Sequence, residues 1–161
     1  MAISKEQLLK SICDVHSEMT ERSAMLNNFL SVYNKRDVWT DVEGIMHFFS
    51  TSVVSHFLKE NIIFNALINK SDIGTDKLKA LKEIFKEHDE LIAEFAKLKE
   101  TAGKIVQGDD DLAGDFIKNC NKTIWTLLKH AQVEDELIFP EISARFSDAD
   151  FKVLEAELLK L

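Results

Sequence analysis

Apolar residues recur every three or four positions along almost the whole chain, the spacing that gathers side chains on one face of an α-helix. Little interrupts this pattern, because only one proline and five glycines occur among 161 residues. A turn-rich β architecture would need more of both. The pattern therefore predicts an all-α fold.

Two capping-box sequences mark the expected helix starts in the first part of the chain. Ser4-Lys5-Glu6-Gln7 precedes one apolar stripe, and Thr40-Asp41-Val42-Glu43 precedes the next. A polar turn over residues 69–74 ends the second helix at about Asn69. The two stripes predict two long helices, the first with Leu9, Ile12, Met19, Leu26, Leu30 and Tyr33 and the second with Val42, Ile45, Phe49, Val53, Ile63 and Leu67.

Two further long helices are expected after this turn. The third follows the turn, has Leu78 as the first residue of its apolar stripe and should end near Gln107-Gly108, and residues 109–111, all aspartates, supply cap candidates and first-turn acids for the fourth. Pro140 should kink or interrupt the fourth helix, because it lacks an N–H and collides with the carbonyl four residues earlier. The predicted fourth stripe contains Leu112, Phe116, Cys120, Thr123, Leu127, Leu137 and Ile142.

Four long helices joined by short turns predict an up-down-up-down four-helix bundle over about residues 5–145. Ser147 then caps a short C-terminal fifth helix over about residues 147–161. No linker or low-complexity stretch divides the sequence, so residues 1–161 are expected to form a single domain.

Four of the five histidines interrupt the apolar stripes, one on each predicted long helix. His56 and His88 each lie seven residues from apolar residues on both sides, and His16 and His130 occupy equivalent places. Seven residues are close to two helical turns, so each ring should point into the core. Their distances from the shared turns also agree, which places all four rings within about one turn, roughly 5 Å, of one level.

Two of these histidines are followed four residues later by a carboxylate, as His56 is by Glu60 and His130 is by Glu134. This spacing stacks the two side chains on one helix face. A buried carboxylate needs a cation or strong hydrogen bonds. The sequence therefore predicts a metal site made of His16, His56, Glu60, His88, His130 and Glu134.

Nitrogen and carboxylate ligands without thiolate suit iron, manganese or zinc. The ferritin-like pattern requires a glutamate three residues before a histidine, and the common zinc protease pattern requires HExxH; both are absent. His47 lies nine residues from His56, about half a turn around the helix, and is predicted to be a surface residue without a ligand role.

The order His16, His56-x-x-x-Glu60, His88, His130-x-x-x-Glu134 closely resembles the hemerythrin-like HHE cation-binding family. The segments His56-Phe57-Leu58-Lys59-Glu60-Asn61 and Glu134-Asp135-Glu136-Leu137-Ile138-Phe139-Pro140 are also similar to that family. The resemblance implies two iron ions with an oxo or hydroxo bridge, two bridging glutamates, and histidines completing each iron.

Oxygen-carrying hemerythrins have a fifth histidine four residues from another on the third helix, where this chain has Ile84 and Ile92 on either side of His88. The resemblance therefore favours a sensor or redox module that binds or reacts with O2, NO or peroxide, and a binding protein more than a dedicated enzyme. The alternatives are an iron donor or iron–sulfur cluster repair protein under nitrosative or oxidative stress, reversible oxygen binding, and a zinc or structural metal bundle.

The net charge of −8, with basic residues scattered among acidic ones, argues against nucleic acid and anionic membranes as partners. No apolar run approaches the ~20 residues that cross a bilayer, and Met1-Ala2-Ile3 and the residues after it lack a signal peptide pattern, so we expect a cytoplasmic protein. Cys13 and Cys120 are predicted to be buried thiols.

Apolar residues outside the seams leave the oligomeric state open between a monomer and a homodimer. Either a dimer contact or the fifth helix is expected to cover these residues, which are Phe48, Val54, Phe57, Ile62, Ile68 and Trp125.

Overall fold

The computed structural model describes residues 4–70 and 72–161, and the described residues form helices and turns without any strand. The predictions for Met1-Ala2-Ile3 and for Ser71 in the second turn lie outside the described residues. The all-α prediction is confirmed. The helices are α1 (Lys5–Leu30), α2 (Val38–Phe48), α3 (Val54–Asn69), α4 (Thr75–Gln107), α5 (Ala113–Val133), α6 (Phe139–Arg145) and α7 (Asp148–Leu158).

Two π-helical turns join four of these helices into two longer units. Residues Phe49–Val53 connect α2 to α3, and Glu134–Ile138 connect α5 to α6. The helix α1 packs against α2 and α5, and α4 packs against the same two helices, which closes the ring of four. The chain is therefore the predicted four-helix bundle with a short fifth helix, α7. None of the described helices is long and apolar enough to cross a membrane.

The predicted capping box at Ser4 is confirmed, and the one at Thr40 is wrong. The Gln7 N–H donates to Ser4 Oγ at 3.2 Å, and the Ser4 N–H donates to Gln7 Oε1 at 2.9 Å. The second helix begins at Val38, so Thr40 lies inside it. The earlier start is stabilised by Trp39, whose ring is buried and whose Nε1–H donates to the Tyr33 carbonyl at 2.9 Å.

Three other expectations about helix ends and faces can be compared with the structure. Gly108 ends α4 with a φ of 122°, a conformation that favours glycine, as the predicted boundary requires. Residues 110–112 form a single 3-10 turn, and α5 begins at Ala113 without a side-chain cap, so the predicted aspartate cap is wrong. Tyr33 lies after the end of α1 and is half exposed, so it does not belong to the first stripe.

The fourth stripe is shifted by one residue near Pro140. Leu137 was expected in the core and is 45% exposed, whereas Ile138 is fully buried. The cause is the π-helical turn, in which the Phe139 N–H donates to the Glu134 carbonyl five residues earlier. This wider turn adds a residue before Pro140, which then occupies the first turn of α6, where no N–H is needed. The predicted interruption is confirmed, and its effect on the stripe explains the error at Leu137.

The fifth helix covers part of the apolar surface of α3. The Ser147 Oγ accepts from the Asp150 N–H at 3.3 Å, as predicted for a helix cap, and α7 packs against α3. Ile62 and Ile68 pack against the apolar cluster to which α7 contributes. Trp125 on α5 remains 63% exposed, so the fifth helix covers α3 but not this tryptophan.

The interior contains two apolar clusters with a polar layer between them. One cluster contains Met19, Phe57, Leu91 and Leu127, and the other contains residues such as Ile12, Ile63, Ile84 and Ile138. The histidines and glutamates singled out by the sequence lie where one set gives way to the other, between Ile12 and Met19 on α1 and between Ile84 and Leu91 on α4, for example. The fold thus places the polar layer in the middle of the bundle.

Candidate metal centre

The structure brings all six sequence-predicted residues into the polar layer. Glu60, His88 and Glu134 are fully buried, and the three other histidines are between 2% and 6% exposed. The four long helical units each contribute, with His16 on α1, His56 and Glu60 on α3, His88 on α4, His130 on α5, and Glu134 at the start of the π-helical turn after α5. Potential ligand atoms of these residues fall into two groups that share a glutamate, one with His16, His56 and Glu60, the other with Glu60, His88, His130 and Glu134.

The histidines form two pairs on opposite sides of the glutamates. The ring centroids of His16 and His56, the first histidine pair, are 4.9 Å apart. Those of His88 and His130, the second histidine pair, are 4.7 Å apart.

Each glutamate directs one oxygen to each pair. Glu60 Oε1 lies 2.8 Å from His56 Nε2 and 3.2 Å from His16 Nε2, while its Oε2 lies 3.4 Å from His88 Nε2. Glu134 Oε1 lies 3.0 Å from His130 Nε2 and 3.4 Å from His88 Nε2, while its Oε2 lies 3.4 Å from His16 Nε2. Both carboxylates therefore span the two halves of the centre.

Most of these converging atoms make no hydrogen bond with the described residues. They are buried and include Nε2 of three histidines and three of the four carboxylate oxygens: His56 Nε2, His88 Nε2, His130 Nε2, Glu60 Oε2, Glu134 Oε1 and Glu134 Oε2. Buried polar atoms are normally satisfied, and unsatisfied ones are costly. The nitrogen and oxygen donors fit a metal cation, because a cation is the partner that would satisfy lone pairs aimed at a common point.

Charge at the centre is governed by the two carboxylates. Burial alone would lower the pKa of the histidines, but Glu134 and Glu60 outweigh it at His16 and raise its pKa to about 11, and Glu134 and Glu87 raise the pKa of His130 to about 9. Burial would raise the pKa of both glutamates, and repulsion from Glu134 adds to this at Glu60, but the adjacent histidine nitrogens lower the pKa of Glu60 to about 2 and that of Glu134 well below its usual value. Both carboxylates are therefore charged at neutral pH.

An outer layer of polar residues was not assigned by the sequence analysis. His16 Nδ1 lies 2.9 Å from Asp135 Oδ1, and His130 Nδ1 lies 2.7 Å from Glu87 Oε2. His88 Nδ1 lies 2.7 Å from Asn61 Oδ1. The signal that could have found them is their position, because each is the immediate sequence neighbour of a predicted ligand.

Aromatic rings of the two apolar clusters border the centre. Phe57 stacks on His88, with centroids 4.2 Å apart and planes at 18°, and Phe139 lies 5.8 Å from His16. His47 is exposed on α2, as expected for a residue outside the centre. Ile84 and Ile92 stand four residues before and after His88, where oxygen-carrying hemerythrins would have a further histidine. Ile84 is buried and Ile92 is partly buried, so both belong to the apolar surroundings.

One cleft reaches the centre from the surface. It lies between α1 and the end of α5, has a volume of about 490 Å³, and is lined by His16 together with Cys13, Gln132, Asp135 and others. Cys13 is exposed here, so its predicted burial is wrong, because its position three residues before His16 sets it at the edge of the buried stripe. Cys120 is buried as predicted, and both thiols are free.

Comparison with known families supports the assignment of these residues to a metal centre. A family model for the hemerythrin HHE cation binding domain matches residues 79–158, which run from α4 to the end of α7 and include His88, His130 and Glu134. No match was found among curated proteins or among solved structures. The chain belongs to the hemerythrin HHE cation binding domain family.

Proposed function

We propose that His16, His56, Glu60, His88, His130 and Glu134 hold two iron ions and that this di-iron centre binds or reacts with O2, NO or peroxide as a sensor or redox module. The observation that carries the proposal is the bridging arrangement of the two glutamates, each with one oxygen toward each histidine pair. A single metal would not require two histidine pairs that are each faced by one oxygen of both glutamates.

The donor set assigns one histidine pair to each metal. His16 and His56 would hold one metal and His88 and His130 the other, each pair together with one oxygen of Glu60 and one of Glu134. Bound iron would supply one-electron redox chemistry and positions for small ligands. The chain itself holds the rings in place and surrounds them with Phe57 and Phe139, which limits access of water to one side.

The absence of a histidine four residues before or after His88 supports reactivity over storage. Ile84 and Ile92 occupy those positions, belong to the apolar surroundings and supply no nitrogen. The protein would then supply both metals with the same number of ligands, so neither metal would have fewer positions for a small ligand than the other. We expect the reduced protein to bind NO and to be oxidised by O2 or peroxide.

Stopped-flow mixing of the anaerobically iron-loaded protein with NO, and separately with O2, tests this proposal. We expect an optical change with each ligand. The control variant His47→Ala, in which an exposed histidine is replaced, should show the same change. The variant His88→Ala should lose it. Recovery of the O2-free spectrum under vacuum would instead support reversible oxygen binding, and no optical change with O2, NO or peroxide would overturn the proposal.

The iron-donor alternative is favoured by one observation, the cleft that exposes the edge of the centre at His16. A tight sensor should keep its iron when a strong chelator is added, whereas a donor should release it within minutes. The rate of iron loss to a chromophoric chelator therefore distinguishes the two roles.

A further inference from the structure

Three of the four histidines in the centre are bonded on their outer nitrogen by residues that are not themselves in the centre. His16, His88 and His130 each place Nδ1 within 2.7–2.9 Å of a side-chain oxygen. An oxygen acceptor at Nδ1 requires that nitrogen to carry the proton. The bond therefore keeps a proton on Nδ1 and leaves Nε2 as the nitrogen that faces the centre and can bind a metal once its own proton is displaced.

The three acceptors follow one rule in the sequence. Asn61 directly follows Glu60, Asp135 directly follows Glu134, and Glu87 directly precedes His88. Neighbouring residues on a helix point about 100° apart, so one side chain of each couple enters the centre and the other reaches sideways to the adjacent helix.

Each of these bonds consequently joins two different helices. Asn61 on α3 holds His88 on α4, and Glu87 on α4 holds a ring on α5. Asp135, in the π-helical turn after α5, holds His16 on α1. The π-helical turn begins at Glu134, so the irregular backbone that places a glutamate in the centre also places its neighbour against α1.

The acceptors differ in charge. Asp135 and Glu87 are carboxylates, and Asn61 is a neutral amide; among the described residues, no such acceptor is found for His56. The first histidine pair thus has one carboxylate-backed ring, His16, and the second has one, His130. A carboxylate behind an imidazole increases its basicity as a ligand, which an amide does to a smaller degree.

We propose that Glu87 and Asp135 are positioning residues that each strengthen one histidine ligand per metal and so set metal affinity and reduction potential, whereas Asn61 orients His88 without adding charge. This inference rests on the proposed metal-binding function. The side chain of Glu87 is 29% exposed and that of Asp135 is 45% exposed, so solvent screens the second more. Glu87 therefore has the larger effect.

The test removes the negative charge of Glu87 or Asp135 and keeps an oxygen that can accept the hydrogen bond. Glu87→Gln and Asp135→Asn retain a carbonyl oxygen for the histidine N–H and remove the negative charge. Matched controls remove the same charge from exposed positions nearby, with Glu90→Gln on α4 and Glu136→Gln beside Asp135. Asn61→Asp makes the opposite change, because it adds a carboxylate behind His88.

Zn²⁺ affinity of each full-length variant, measured by competition with a chromophoric chelator, is the first readout. We expect Glu87→Gln to bind Zn²⁺ about 10- to 100-fold more weakly than wild type, Asp135→Asn to lose less, and Asn61→Asp to bind more tightly. The midpoint potential of the iron-loaded protein is the second readout. It should rise in Glu87→Gln, because loss of a negative charge disfavours the more highly charged ferric state.

The outcomes separate this inference from the function on which it rests. Wild type that binds neither Zn²⁺ nor iron would overturn the proposed function and this inference together. Wild type that binds metal, with Glu87→Gln and Asp135→Asn within twofold of their controls, would overturn the inference alone. A tighter Asn61→Asp variant supports it even if a charge-removing variant is poorly folded, and an Asn61→Asp variant with unchanged or weaker affinity contradicts it.

Discussion

Replacement of Ile138 by alanine should destabilise the protein far more than replacement of its neighbour Leu137. An uninterrupted α-helix through the HxxxE segment would put Leu137 in the core, whereas the π-helical turn puts Ile138 there. Ile138 is fully buried beside Ile142 and Phe64, and Leu137 is 45% exposed. The two residues have the same number of carbon atoms, so the pair of substitutions removes equal side-chain volume.

The expected magnitudes follow from these exposures. Truncation of a fully buried isoleucine to alanine costs about 2–5 kcal/mol, from lost transfer free energy plus the cavity that remains. A half-exposed leucine on the surface should cost under about 1 kcal/mol. With a urea dependence of about 2 kcal/mol/M, Ile138→Ala lowers the unfolding midpoint by about 1–2.5 M and Leu137→Ala by less than about 0.5 M.

Urea unfolding of the metal-free proteins, followed by far-ultraviolet circular dichroism, measures both midpoints. The metal-free form is used because Glu134 belongs to the same turn, and bound metal would add its own stabilisation. If Leu137→Ala lowers the free energy of unfolding as much as Ile138→Ala does, the one-residue shift and the π-helical turn that causes it are refuted.

Two further predictions concern the thiols and the fifth helix. In the folded protein Cys13 should react with a thiol reagent within minutes and Cys120 only on unfolding, because Cys13 is exposed whereas burial raises the pKa of Cys120 to about 12. If folded wild type and the folded Cys13→Ser variant react with the reagent at equal rates, this prediction is contradicted. Lys70 and Ser147 lower the pKa of Asp150 to about 2, so the stabilisation from this carboxylate is complete above its unfolded-state pKa and is lost as pH falls toward 2. The thermal midpoint of Asp150→Asn should therefore lie below that of wild type at pH 7, and the difference should close between about pH 4 and pH 2; a difference that does not change with pH would exclude this ion pair as its cause.

The helical periodicity was sufficient to place the centre. A residue seven positions from the stripe returns to nearly the same face, and residues at equal distance from a turn meet across antiparallel helices. These two rules brought His16, His56, His88 and His130 to one level and separated His47 from them. They depend on regular helix geometry, which α1, α4 and α5 retain around their histidines, whereas the π-helical turn Phe49–Val53 lies between His47 and His56.

The errors occur where the backbone departs from that geometry. Leu137 was misplaced because a wider turn precedes Pro140, and the sequence pattern does not report how a helix accommodates a proline. The start of the second helix was misplaced because burial of Trp39 outweighs the local capping preference at Thr40. Both are tertiary effects on local structure.

The outer layer shows a different limit of the sequence. Glu87 reads as one of many acidic residues on an exposed helix face, and only the position of α5 shows that it contacts a histidine. Asp135 is likewise placed by the π-helical turn. Residues that orient ligands across helices require the packing geometry, whereas the ligands themselves follow from periodicity.

The number of metal ions per chain tests the central claim most directly. The metal-free protein is loaded anaerobically with ferrous iron, freed of unbound metal, and analysed for iron and protein, with Glu60→Ala and His47→Ala in parallel. Because Glu60 is shared by both groups of ligand atoms, wild type and His47→Ala should hold two ions per chain and Glu60→Ala markedly fewer. One ion or none in wild type, or equal iron in all three proteins, would contradict a di-metal centre bridged by the glutamates.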